Sequence, residues 1–128
     1  MQAAAALALL VSLAGPADAL ESAGQLLGAC ERFLQVVDLS GPRFDIPREE
    51  PEAIMCWAFM RAVQDLSTVS FAGKRALYTC PPEQTFVSHL IREFVSYARE
   101  HPQALHLPPG HVAMVALQTA FPCTPPVQ

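Results

Sequence analysis

Four histidines, His89, His101, His106 and His111, are the side chains of this chain best suited by type to hold a metal or move a proton, and the last three recur every five residues. Ligands on one helix must stand three or four apart to share a face. A five-residue period broken by Pro102, Pro108 and Pro109 gives no such face, and no helix-borne carboxylate pairs with the histidines. They read as polar residues of a surface loop and of helix ends, not as a metal set. Glu49, Glu50 and Glu52 form a second cluster, on a proline-flanked loop that leads into a helix. Acids there answer the positive end of the helix dipole, so a solvated first turn explains them without general acid or base work. Nucleophile elbows, glycine-rich phosphate loops and His-Glu-x-x-His zinc helices are absent from the sequence. The expectation is a protein without catalytic residues, metal or cofactor.

The remaining reactive side chains are Cys30, Cys56, Cys80 and Cys123. None stands in a Cys-x-x-Cys pair, which removes the spacing of a thioredoxin-like redox site or a zinc knuckle. An even number in a small exported chain implies two disulfides, with three pairings open. One of them, Cys30 with Cys56 and Cys80 with Cys123, would close loops worth about 3.5 to 4 kcal/mol each in the chain-entropy model.

Export is suggested by the N-terminus. Ala3 to Ala14 is apolar apart from Ser12, and Pro16-Ala17-Asp18-Ala19 supplies the small residues of an A-x-A cleavage site. Residues 1–19 therefore read as a signal peptide, although no Lys or Arg precedes the apolar run. Its removal leaves 128 − 19 = 109 residues and takes away Asp18, so the net charge moves from −4 to −3. The run is shorter than the roughly 20 residues that span a bilayer, and no later stretch is long and uncharged enough to do so. Leu27-Gly28-Ala29-Cys30 has the look of an acylation site, but Glu21, Ser22 and Gln25 interrupt the apolar stretch that should precede it.

Composition limits the rest. A chain of 128 residues accommodates one domain, here residues 20–128, and 52% hydrophobic against 16% charged residues excludes a disordered chain. Eight basic against twelve acidic residues disfavour a nucleic-acid partner, which needs a basic patch to neutralise phosphates.

The elements that must position these residues are helices. Leu26, Leu27, Cys30, Phe33, Leu34 and Val37 recur at three and four residues, predicting a helix capped by Ser22 and ending near Asp38. Gly41 to Pro51 reads as a polar loop. A second helix is expected from Pro51 to about Ser67, apolar all round from Ile54 to Met60 and hence buried, with Trp57 packed in the core beside Cys56. Val69 to Tyr78 has no sustained period and reads as a connector. Thr85 is expected to cap a third helix with the face Phe86, Val87, Leu90, Ile91, Phe94, Val95 and Ala98, ending at His101-Pro102. A fourth runs from Gly110 to Phe121 with two stripes, one of Val112, Val115, Ala116, Thr119 and Ala120, the other of Met114, Leu117 and Phe121. Two apolar faces imply a central helix or a homodimer contact. The fold class is all-α, a bundle of about four helices stapled by two disulfides.

Read together, Cys56-Trp57-Ala58-Phe59-Met60, Cys80-Pro81-Pro82, Tyr97 to His101-Pro102, and Ala116-Leu117 to Ala120-Phe121-Pro122-Cys123 resemble the Rap/Tai family of type VI secretion immunity proteins. The resemblance covers about residues 22 to 123 and matches all four cysteine positions. Ala58 and Ala62 stand where that family commonly has glycine, small enough to keep close helix approach. What the resemblance implies is a periplasmic, disulfide-bonded protein that binds a toxic effector, typically a cell-wall amidase, and blocks its active site without catalysis of its own. If a loop fills an enzyme cleft, the candidate is Glu100 to Gly110, which Pro102, Pro108 and Pro109 preorganise, with Glu100, His101, Gln103 and His106 as contacts. A small periplasmic ligand-binding module, walled by the second stripe of the fourth helix, is the alternative.

Overall fold

The computed structural model describes residues 20–124, so the leader read at residues 1–19 lies outside them. The first helix, α1 (Ala23–Val36), begins where Ser22 leaves the extended region and its hydroxyl accepts from the Gln25 N–H. Gln25 answers through its own side chain, accepting from the N–H of Ser22 and of Glu21 at 3.3 and 2.6 Å. This reciprocal box satisfies donors that a helix start otherwise leaves unpaired. Leu26, Cys30, Phe33 and Val37 of the expected face are buried, while Leu27 and Leu34 pack at its margin.

The second helix, α2 (Pro51–Ser67), opens with proline in its first turn, where the missing N–H has no intrahelical acceptor. Contrary to expectation it is not buried all round. Ala53, Cys56, Met60, Val63 and Ser67 are buried, but Ile54 and Ala58 are exposed, and Trp57 and Phe59 are only partly covered against the core. A domain this small has too little interior to cover every side of a helix. The Gly41 to Pro51 segment is likewise less polar in effect than its composition suggests, because Phe44 turns inward and meets Phe33 edge-on at 5.7 Å.

Between α2 and the next helix, the expected connector contains a small antiparallel hairpin, β1 (Ser70–Phe71) and β2 (Lys74–Arg75). Ala72 and Gly73 make its two-residue turn with φ of 50° and 76°, the left-handed pair that matches strand twist. The third helix, α3 (Val87–Glu100), buries Val87, Leu90, Ile91, Phe94, Val95 and Ala98 as its spacing requires. Its start differs from expectation in two respects. Phe86 occupies the cap position and is 66% exposed, and the Thr85 hydroxyl donates backward to the Pro82 carbonyl and does not cap the helix.

A single 3-10 turn, Pro102–Ala104, leads to α4 (Pro109–Ala120). The two stripes expected on α4 merge into one buried face of Val112, Ala113, Ala116 and Leu117. Leu117 is inside the molecule, and Met114 and Phe121 are half-buried at the edges, so the second stripe is not a separate apolar face.

The fold is therefore all-α, four helices around one core, closed by the disulfides Cys30–Cys56 and Cys80–Cys123. The first joins the middle of α1 to α2 with both cysteines fully buried. The second ties the segment after the hairpin to the residues just beyond α4, where Thr79 bridges Pro122 and the Cys80 N–H donates to the Phe121 carbonyl at 2.9 Å. No described helix is long and apolar enough to cross a membrane.

Candidate functional site

The α3–α4 connection carries the candidate contact residues. α3 ends because His101 leaves the helical region ahead of Pro102, its N–H still donating to the Ala98 carbonyl. The His101 ring stacks on Tyr97 with centroids 3.9 Å apart and planes within 16°. Its Nδ1 lies 2.8 Å from the Tyr97 carbonyl oxygen, which fixes a proton on that nitrogen and points Nε2 away. His101 is thus half-buried, its ring engaged by Tyr97.

Beyond it the chain folds tightly on itself. Ala104, Leu105 and Leu107 donate to the carbonyls of His101, Pro102 and Ala104 at 2.9 to 3.3 Å. Ala104, Leu105 and Leu107 place their side chains against the core. Two carbonyls then face the first turn of α1, where Gly24 donates to Leu105 at 2.9 Å and Ala23 to Leu107 at 2.8 Å. A Cβ on Gly24 would meet the Leu105 oxygen at 3.4 Å, so the loop and the helix start touch directly. These bonds use helix N–H groups that have no partner within α1, and they anchor the loop at both of its leucines. Glu100, Gln103 and His106 are left exposed on this anchored frame.

The other histidines lie elsewhere: His89 in the first turns of α3 and His111 at the start of α4, both exposed. Among the described residues, no three His, Cys, Asp or Glu side chains gather as a metal-holding group. Of the acidic cluster, Glu49 and Glu52 are exposed, Glu52 in the first turn of α2 as expected, and Glu50 alone departs from the solvated-turn reading. Glu50, at the cap position of α2, receives a two-pronged guanidinium contact from Arg32 of α1, Nε to Oε2 at 2.7 Å and Nη2 to Oε1 at 2.5 Å. The hydrogen bonds from Arg32 hold the Glu50 carboxyl below its ordinary pKa. It is a clamp between helices rather than a solvated turn, and the partner lay 18 residues away, out of reach of any local pattern.

The hairpin was invisible to sequence reasoning as a surface feature. Phe71 and Tyr78 are 70% and 61% exposed, with Leu66 and Val69 alongside. Tyr78 also holds φ of 51°, a region costly for a bulky residue. The Ala72-Gly73 pair between Phe71 and Lys74 was the one available signal for the turn.

Comparison with curated proteins and with solved structures returned no match. A comparison with protein-family models matched residues 22–123 to Rap1a immunity proteins. That span starts at the cap of α1 and ends at the last cysteine, taking in all four helices and both disulfides. With most of its length matched and the helical, twice-bridged framework in place, the chain belongs to the Rap1a immunity protein family.

Proposed function

We propose that this protein is exported to the periplasm through cleavage of residues 1–19 and there binds and inhibits a type VI secretion effector, a peptidoglycan amidase. An effector-immunity role follows from the family. The compartment is supported by two disulfides with no free cysteine among the described residues. The observation that carries the inhibitory mode is the anchored α3–α4 loop. Its backbone bonds to Ala23 and Gly24 keep Glu100, Gln103 and His106 displayed in one arrangement before any partner arrives, which lowers the ordering cost of filling a cleft. His101 supports the loop from beneath through its stack on Tyr97.

The test is retention of partners by the mature, oxidised protein from periplasmic and secreted fractions of its own organism, identified by mass spectrometry. Recovery of a stoichiometric cell-wall hydrolase whose activity falls on binding is the expected result, and the mass of the complex reads whether one or two copies of this chain take part. A folded protein that carries its affinity handle at the C-terminus and retains nothing overturns the effector reading. Undiminished inhibition by the Gln103→Ala, His106→Ala double variant overturns the assignment of the loop alone.

A further inference from the structure

A groove of about 220 Å³ opens between the loop that follows α1 and the first turns of α3. One wall is apolar, from Leu39, Pro42 and Phe44, the last held by its edge-on contact with Phe33 in the core. The other is α3, presenting Phe86, His89 and Arg92. His89 and Arg92 stand three apart and so share a face of the helix. Phe86 meets the His89 ring edge-on at 5.9 Å.

The charge around the groove is one-sided. No carboxylate lines it, in a chain whose net charge is −4. Arg32, Arg61 and Arg99 are engaged by Glu50, Asp65 and Glu31, and Arg75 by the Ser67 carbonyl, and of the other arginines only Arg92 lines the groove. Arg92 makes no ion pair or side-chain hydrogen bond among the described residues, while its chain borders the groove. An arginine is a five-donor fork for carboxylates, and here it stands across from the one apolar wall of a mixed slot.

We infer that this groove is a binding site for a small carboxylate with a short apolar body, its anion at Arg92 and its body between Phe44 and Phe86. The volume is below the roughly 300 to 1,000 Å³ of pockets for drug-sized ligands, so the ligand is fragment-sized. The site lies on a different part of the molecule from the α3–α4 loop and stands or falls independently of the effector reading.

The experiment is a titration of the oxidised, ¹⁵N-labelled mature protein with sodium 4-phenylbutyrate, followed by amide chemical shifts, with 4-phenylbutan-1-ol as the neutral comparator. Saturable shifts at Phe44, Ser88, His89 and Arg92, with the alcohol about two- to fivefold weaker, are expected because an ion pair at an exposed arginine typically contributes a ratio of that size. Arg92→Gln, at an exposed position, is expected to weaken the carboxylate about two- to fivefold and leave the alcohol unchanged. Equal binding of acid and alcohol, full binding by Arg92→Gln, shifts confined to another surface, or no saturable shift at millimolar concentration would each overturn the site.

Discussion

Single side chains tie α1 to α2 and the segment after the hairpin to α4. Arg32 and Glu50 clamp α1 to the start of α2 beside the buried disulfide. Because the folded-state pKa of Glu50 is lowered from 4.5, its contribution is complete above the ordinary carboxylate range and disappears as the pH falls through the depressed value. Glu50→Gln is expected to be less stable than the parent at neutral pH and to converge with it in acid, as read by denaturant midpoints across a pH series. Equal midpoints at neutral pH would show that the clamp contributes nothing, as happens with many exposed pairs. At the other end, the fully buried Thr79 hydroxyl donates to the Leu117 carbonyl at 3.1 Å. Thr79→Val removes one of the two hydrogen bonds that carbonyl accepts, the Phe121 N–H remaining at 2.8 Å, and is expected to cost about 0.5 to 1.5 kcal/mol, measured by chemical denaturation. Neither bond was legible in the sequence, since its partners are 18 and 38 residues apart.

Elements divide by how their order is encoded. α1, α3 and α4 announce themselves because apolar residues three and four apart have one helical solution, and Pro51, Pro102 and Pro109 fix where turns of helix start or stop. The limits of α2 were equally readable, but its exposure was not, because an apolar ring of residues says nothing of how many neighbours the domain can supply. Two-residue strands carry no alternation to detect, so the hairpin rested on Ala72-Gly73 alone. Its loop also holds a non-glycine residue at φ 50°. Ala72→Gly is expected to raise stability by a few tenths to about 1 kcal/mol, since left-handed backbone costs an L-residue roughly 1 to 2 kcal/mol while glycine forfeits more freedom on folding. An unchanged or lowered melting temperature would count against strain at that turn. For the candidate site, the proline-bounded loop was legible as a place, and its exposed Gln103 and His106 with it. What the sequence could not show was that His101 is spent on Tyr97 or that α1 anchors the loop through Leu105 and Leu107.

Across the whole molecule the two disulfides differ in access. Cys30 and Cys56 are sealed in the core, whereas Cys123 is exposed and Cys80 partly so. Mild reductant followed by alkylation and mass mapping is expected to label Cys80 and Cys123 well before Cys30 and Cys56. Simultaneous labelling would mean that the molecule opens globally before either bond is reached. Replacing each pair separately is expected to cost up to about 4 kcal/mol in the chain-entropy model, with loss of the buried pair also leaving a void between α1 and α2.

The bonds from Ala23 and Gly24 to the α3–α4 loop bear on how the protein can be handled. Leu20 packs on the core only a few residues before that contact, so a polypeptide fused upstream emerges beside the proposed recognition surface. α4 separates that end from its own C-terminus by 12 residues, or about 18 Å at the helical rise. An affinity handle placed after the last cysteine leaves the loop clear, whereas the same handle at the front obstructs it. In capture experiments the position of the tag therefore decides whether silence reports the absence of a toxin or merely a blocked door.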